Sequence, residues 1–376
     1  MSNLAPDLDS GAAGTECQTI AALRRSGCSV DTVWREDLTH HIPHSNLYNL
    51  IELPMAYRNA MLSKLQRRSY DIVHVNQPHG YLAARALIKR FPKARFVHRS
   101  HGFEGRVESD LTPWVLRYSL DGRPAWRRQL SRIVRSSSQY NNRMIARHAH
   151  GHIVSASECK MFLTEHYGVH GDQIAVIPQA PPKLFHKVEV KPMDGERMQR
   201  LLYVGQFAFI KAPFVLARAV ESILREMPNT TFTWVCDQHH HASARELFTD
   251  VEVLRRVCLL DWMKQTELVN VYDAHGLFLF PSLFEGFGKA FLEAMSRGLV
   301  VVAANNGGMR DVIDDGTTGF LVPTGDFESL ASRCIYLLRR PHEMQRISRA
   351  ACKSARQFNW DRVGAETLTF YQRLTR

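Results

Sequence analysis

The chain has no apolar run approaching the ~20 residues that cross a bilayer as a helix, so no membrane-spanning helix is expected. Nor does it open with a basic stretch followed by an apolar one, and no signal peptide is read there. Cysteine is sparse: seven residues (17, 28, 159, 236, 258, 334 and 352), odd in number and scattered without paired metal spacing. That argues against a disulfide framework or a zinc module and for reduced thiols in a cytoplasmic protein. Low-complexity tracts are also missing. With 45% hydrophobic and 23% charged residues over 376 positions, the composition is globular and long enough for two domains of roughly 180 residues each.

Acidic residues are outnumbered, 37 against 48 Lys and Arg, for a formal charge of +11. The surplus is concentrated. Between Arg106 and Arg147 stand nine arginines against Glu108, Asp110 and Asp121, with Trp114 and Trp126 interleaved. A basic face beside Trp suits an anionic membrane surface or an acidic acceptor, and a solvated helical face would give the same pattern. No recognition motif accompanies the charge, so nucleic acid is not expected as a partner. His40, His41, His44 and His239 to His241 lack the i, i+4 pairing and supporting carboxylate of a metal site, and no metal is expected.

The most informative stretch is Phe280 to Leu299, FPSLFEGFGKAFLEAMSRGL. An apolar run, Gly276 to Phe280, has strand length and aromatic enrichment, and Pro281 to Gly288 cannot continue a strand. From about Lys289 the pattern is helical, with Phe291, Leu292 and Met295 on one apolar face and Gly298 as a stop. Strand, glycine turn and helix N-terminus form a site where free N–H groups and the helix dipole favour a phosphate. Gly286 and Gly288 let backbone approach that anion. Two carboxylates, Glu285 and Glu293, bracket the turn. Fully helical spacing would set them roughly 12 Å apart, room for a polyol at each end of a diphosphate, whereas a capped surface helix with an acidic first turn is the plainer reading.

Along the chain, Asp9 to Val33 reads as a glycine loop containing Gly11 and Gly14, an amphipathic helix ending near Gly27, and an apolar strand. Asp71 to Asn76, Gly80 to Arg90 and Ala94 to His98 read as strand, helix and strand, followed by the loop RSHGFEGR, which carries His101. Such alternation with short links predicts a parallel doubly wound sheet whose ligand crevice lies beyond the strands' carboxyl ends. His101 falls there, able to hydrogen-bond a sugar hydroxyl or simply to pack the turn. Further strands are expected at Ala149 to Ser157 and Ile174 to Pro178. Pro178 to Pro192, with four prolines, reads as a linker. A second set begins at Leu201: a strand ends at Gly205, and Lys211 waits before a helix from Pro213 to Met227.

Together these pieces resemble the retaining glycosyltransferases of family 4, with the GT-B fold. The resemblance is carried by PSLFEGFGKAFLEAM with its Glu-x7-Glu pair and by NNGGMRDVIDDGTTGFLVPTGD. DIVHV, RSHG, HIVSAS, YGV, VIP and a terminal FNWDRV…FYQRL support it. It implies two Rossmann-like doubly wound domains facing a central cleft: an acceptor-binding domain over 1–185, a nucleotide-sugar donor domain over 186–355, and a helix over 356–376 crossing back to the first domain.

By position, the resemblance implies that Glu285 binds hydroxyls of the transferred sugar. Gly286, Phe287 and Gly288 would offer N–H groups to sugar and diphosphate, and Glu293 would hold the ribose. Gly205, Gln206 and Lys211 would face the diphosphate, Lys211 neutralising the leaving phosphate, and His101 would contact the donor sugar. The implied reaction is retaining transfer of a hexose-type sugar from a UDP- or GDP-sugar to a glycan, lipid-linked or small-molecule acceptor. It would run without metal or cofactor, in the cytoplasm or peripherally on the inner face of the membrane. Gln206 stands where the family usually has an arginine. The alternative is a GT-B-shaped protein of another kind: a weakly active partner subunit in glycan assembly, an epimerase or a phosphorylase.

Overall fold

A computed structural model describes residues 1–102, 104–117, 138–187 and 189–376. The chain divides into two compact units, Met1–Pro178 with Trp360–Arg376, and Gln179–Asn359.

The first unit is built on a parallel sheet of four strands in the order β1 (Ile72–Asn76), β2 (Arg95–Arg99), β3 (Gly151–Val154) and β4 (Ile174–Val176). Its helices include α1 (Gly11–Arg25), α2 (Leu53–Arg67), α3 (Tyr81–Arg90), α4 (Glu104–Arg117) and α5 (Ser157–Tyr167). Val73, Val75 and Phe96 turn one face of the sheet onto Met61 and Leu65 of α2 and Leu87 of α3.

Two expectations are corrected here. Gly11 and Gly14 do not form a loop, because the helix begins at Gly11 and both belong to α1. Gly14 is needed for close approach: a Cβ there would lie 2.6 Å from the Leu8 carbonyl oxygen, whereas Gly11 has nothing within 4 Å. The apolar strand expected before Val33 is not formed, since residues 28–34 are neither helix nor strand.

The second unit holds six parallel strands in the order β10-β9-β8-β5-β6-β7. These are β5 (Arg200–Val204), β6 (Thr231–Val235), β7 (Val257–Leu260), β8 (Leu277–Phe280), β9 (Val300–Ala304) and β10 (Phe320–Val322). Every residue of β8 and β9 is buried, as strands covered by helices on both faces require. Residues 183–187, read as linker, instead form a helical turn, α6 (Lys183–Lys187), whose Phe185 is fully buried against Tyr272. One aromatic anchor outweighs the prolines around it.

The terminal helix α11 (Trp360–Thr375) belongs to the first unit. Gly364 meets α1 so closely that a Cβ would lie 2.6 Å from that of Ala22, and Gly151 of β3 similarly admits Phe370 and Leu374. Of the arginine-rich segment, residues 118–137 lie outside the described residues. Arg106 is not a surface charge: it is buried and paired with Glu158 at 2.6 Å and Asp110 at 2.7 Å.

Burial holds three histidines, His79, His152 and His275, down to about 4. An unfolded histidine titrates near 6.5, so between pH 6.5 and 4 the unfolded chain binds more protons and stability falls as pH drops. Each group contributes up to ~1.4 kcal/mol per pH unit in that window and nothing above it. Thermal scans from pH 7.5 to 4 are expected to show this loss, with a shallower slope for His152→Gln. A melting temperature flat across the window would contradict it.

Candidate functional site

The second unit brings together residues far apart in sequence because β5 and β8 are hydrogen-bonded neighbours, running parallel. The loops leaving their carboxyl ends therefore emerge side by side, and Leu283 N–H donates to the Ile210 carbonyl at 2.9 Å to tie them. Lys211 closes a short 3₁₀ turn, Phe209–Lys211, before α7 (Pro213–Glu226). Ala212 holds a left-handed conformation, φ +53, that makes this corner.

Lys211 Nζ reaches Glu285 Oε1 at 2.5 Å. The same carboxylate oxygen accepts from Ser282 Oγ at 2.9 Å. Glu285 is only 6% exposed, so its charge depends on these donors. Lys211 also stands 5.9 Å from the centre of the Phe280 ring, held between an anion and an aromatic face.

The turn from Pro281 to Gly288 is not helical, and α9 (Lys289–Ser296) starts where the sequence pattern starts it. Gly288 has φ +87, and a Cβ there would press on Phe280 at 2.9 Å. No side chain caps α9, which leaves its first N–H groups to other acceptors. Phe287 is buried beside Phe291, so only its backbone can serve a ligand.

Glu293 lies on α9. Tyr272, on α8 (Gln265–Asp273), donates its hydroxyl to Glu293 Oε2 at 3.2 Å. Burial raises the Glu293 carboxyl above the usual range, while Lys289, one turn earlier on α9, opposes that shift. Lys289 thus serves Glu293. Gly205 packs against Tyr203, whose hydroxyl would be 2.4 Å from a Cβ at that position, and the Gln206 side chain is exposed in the same loop.

His101 belongs to the first unit. There its Nε2 lies 3.5 Å from Oε1 of Glu16 on α1.

Several supporting residues were not singled out from the sequence. Asn306 Nδ2 donates to the Ser282 carbonyl at 2.8 Å and to Thr324 Oγ1 at 3.1 Å. Gly307, at φ +54, opens α10 (Gly307–Val312), and a Cβ on it would fall 2.3 Å from the Glu285 carbonyl oxygen. A Cβ on Gly308 would fall 2.5 Å from the carbonyl oxygen of Phe287. The paired glycines following a buried strand were the available signal. Gly307→Ala is expected to displace the 285–288 turn and so to weaken the donor binding that the family resemblance implies there at least tenfold, while far-ultraviolet dichroism is unchanged. Unaltered binding in a calorimetric titration would show that the turn tolerates the shift.

Among the described residues, no group of three His, Cys, Asp or Glu side chains converges.

Comparison with known proteins agrees with this geometry. Residues 12–180 match the model for Glycosyltransferase Family 4, and residues 198–340 match the model for Glycosyl transferases group 1. A D-inositol 3-phosphate glycosyltransferase from Corynebacterium diphtheriae is 31% identical over 55% of this chain and 52% of its own length. One from Corynebacterium glutamicum is 25% identical over 85% of this chain and 77% of its own. The chain spans about half the length of the curated relatives it matches at about 30% identity.

Among solved structures, sucrose-phosphate synthase from Thermosynechococcus elongatus superimposes with a TM-score of 0.76 at 21% identity, covering 97% of this chain and 94% of that one. Anabaena HepE in complex with UDP and glucose gives 0.67 at 16% identity, covering 98% of each. With each of its units matched by a glycosyltransferase model and both sheets parallel as in these GT-B neighbours, the chain belongs to glycosyltransferase family 4.

Proposed function

We propose that this protein is a retaining glycosyltransferase that moves a hexose-type sugar from a nucleotide-diphosphate sugar to a hydroxyl acceptor. The observation that carries the reading is the Lys211–Glu285 pair at 2.5 Å, set beside an uncapped helix start at the carboxyl ends of two adjacent parallel strands. This is the crevice in which a parallel sheet binds its ligand.

In this reading Glu285 takes hydroxyls of the sugar, and the N–H groups of residues 286–288 and the first turn of α9 receive sugar and diphosphate. Lys211 faces the phosphate that gains charge as the glycosidic bond breaks. Glu293, steadied by Tyr272, takes the ribose hydroxyls. A buried carboxyl whose proton affinity is raised gains most from two hydroxyl donors, because they stabilise its charged form. His101 would contact the sugar from the first unit. Catalysis then rests on positioning and electrostatics rather than on a protein base. The positive charge is supplied by Lys211 and a helix terminus, so the reaction should proceed in the presence of a chelator.

HepE was crystallised with UDP and glucose, which makes UDP-sugars the first donors to try, with GDP-sugars next. The relatives named for D-inositol 3-phosphate make a phosphorylated polyol the first acceptor to try. The test is transfer or slow donor hydrolysis by the purified protein, with the product's anomeric configuration read by NMR. Retention is expected, and inversion would overturn the mechanism. Failure of all UDP-, GDP- and ADP-sugars to bind or turn over, with Glu285→Ala silent in cells, would overturn the enzyme.

One observation favours a weakly active partner subunit instead: Gln206, exposed and neutral, where an arginine would add charge at the diphosphate. Lys211→Ala is expected to weaken donor use more than Gln206→Ala, and equal losses would contradict these roles. Anionic membrane binding through the arginine-rich segment is tested by co-sedimentation with phosphatidylglycerol vesicles before and after its arginines are neutralised.

A further inference from the structure

Among the described residues, five carboxyl side chains are buried: Glu16, Glu52, Glu221, Asp273 and Glu285. Four of them accept at least two hydrogen bonds each. Glu52 is held by the His41 and Ile42 N–H groups, Glu221 by Thr249, Asp273 by Arg297, and Glu285 by Lys211 and Ser282. Glu16, on α1 and 5% exposed, accepts none at either oxygen. Water is excluded from it and no donor takes the place of that water, so its charge can be answered only through space.

Two basic residues lie in range, both delivered by the carboxyl end of β2. Arg99, the last residue of that strand, donates from Nη1 to Oγ1 of Thr19, which lies one turn of α1 beyond Glu16, at 3.2 Å. Arg99 is buried, and its Nε and Nη2 have no acceptor. Burial lowers the Arg99 guanidinium, and Tyr371 of α11 and Glu16 oppose that shift. His101, two residues later, brings Nε2 to 3.5 Å from Glu16 Oε1.

A second Glu–His pair in the same unit shows what a structural contact looks like. Glu52 meets His41 Nδ1 at 2.7 Å, but its carboxylate is also bonded to backbone N–H groups, and the His41 side chain is 82% exposed. That pair fixes a loop. Glu16 serves no backbone group, and its histidine stands in the loop leaving β2, at the end of the sheet where parallel sheets bind ligands. A separation of 3.5 Å is long for a hydrogen bond, and pairs of this kind commonly close when substrate seats.

We propose that Glu16 is a positioning residue of the transfer reaction, whose carboxylate keeps the His101 proton on Nε2 and holds that ring in one orientation. The inference rests on the contact between His101 and the donor sugar assigned under the proposed function. With Nε2–H directed at a carboxylate, Nδ1 is an acceptor in the neutral ring and a second donor in the charged one, and the charged ring is stabilised by its anion. Without Glu16 the proton is shared between two tautomers, and a sugar hydroxyl can meet a donor where it needs an acceptor. The charge of Arg99 offsets that of Glu16 while His101 is neutral.

The test is a double-mutant cycle on transfer or donor hydrolysis by the full chain, using Glu16→Gln, His101→Ala and the pair. Glu16→Gln keeps the volume and an acceptor and removes the charge. It is expected to lower kcat by about tenfold, the lower end of the effect of removing a carboxylate that orients a working histidine, with the donor KM changed by less than about twofold. In the His101→Ala background it should cost nothing further. Glu16→Asp, which keeps the charge on a shorter arm, should lose less than Glu16→Gln. Nitrogen NMR of histidine-labelled protein, with the His101 signals identified by their absence in His101→Ala, reads the same point without turnover: Nε2–H in the parent, a mixture of tautomers in Glu16→Gln. A structural role would instead lower the melting temperature and reduce turnover equally in both backgrounds. That result overturns the proposal, as does an unchanged His101 tautomer. If His101→Ala turns over donor like the parent, the assignment of His101 fails and takes this proposal with it. If His101→Ala is impaired while Glu16→Gln is not, only this proposal fails. Should Glu16→Gln not fold, Glu16→Asp replaces it in the cycle and in the spectra.

Discussion

Lys211→Ala is expected to lower kcat/KM for the nucleotide sugar by about 10²- to 10³-fold, the range seen when one preorganised charge-stabilising donor is removed from a reacting centre. Two effects combine. The departing phosphate loses the cation that would offset its growing charge, and Glu285, 6% exposed, loses the donor at 2.5 Å and keeps only the hydroxyl of Ser282. A buried carboxylate left with one neutral donor either takes a proton or draws in water, and each disturbs the sugar's seat. Glu285→Gln separates the effects, because it keeps the lysine and a polar group while giving up the charge pair. Its loss should fall mainly on sugar recognition. In the double variant the losses should be far from additive, since in the proposed reaction both residues act on one bound sugar-diphosphate. Losses that multiply independently, or a Lys211→Ala enzyme within threefold of the parent, would remove Lys211 from the reaction.

How much of this was legible in the sequence depends on the range of the interaction. β8 and α9 were readable because their signals are local: LFLF with a following proline, a helix pattern from Lys289, and a glycine, Gly298, in the left-handed region at φ +74. The contact between Lys211 and Glu285 spans 74 positions and exists only because β5 pairs with β8, a fact of sheet order that no spacing rule contains. The strand expected before Val33 shows the converse. Its residues have the right pattern, but a strand is defined by pairing, and residues 28–34 border a cavity over most of their length. Gly11 and Gly14 looked like loop residues because glycine is a weak helix former, yet the docking of Leu8 against α1 demands a missing Cβ, and packing prevailed over propensity. The prolines from 178 to 192 suggested a linker and hid Phe185, whose burial costs nothing in composition and decides the local structure.

Arginine at the end of α9 was equally opaque, since a basic residue at a helix C-terminus is ordinary. Arg297 is in fact completely buried, and it grips Asp273 of α8 with two bonds of 2.8 Å through Nε and Nη2. It also donates to the carbonyls of Phe185 at 3.1 Å and Glu189 at 2.8 Å, fastening the entry of the second unit to α8 and α9. Asp273→Ala is expected to cost about 3–5 kcal/mol, because the guanidinium stays buried without its anion. For a unit of this size that is roughly 6–20 °C in melting temperature. Replacing both partners, Asp273→Leu with Arg297→Met, should recover most of the loss, since the larger penalty lies in the unpaired charge rather than in the missing attraction. The site should register the single change as well. Asp273 adjoins Tyr272, which steadies Glu293, and Arg297 immediately follows α9, which carries it. A folded Asp273→Ala protein measured below its melting point is therefore expected to show weaker nucleotide binding, with the double variant restoring stability more completely than affinity. Equal recovery of the two would mean that the clamp supports the fold alone, and a single variant as stable as the parent would mean that water reaches Arg297.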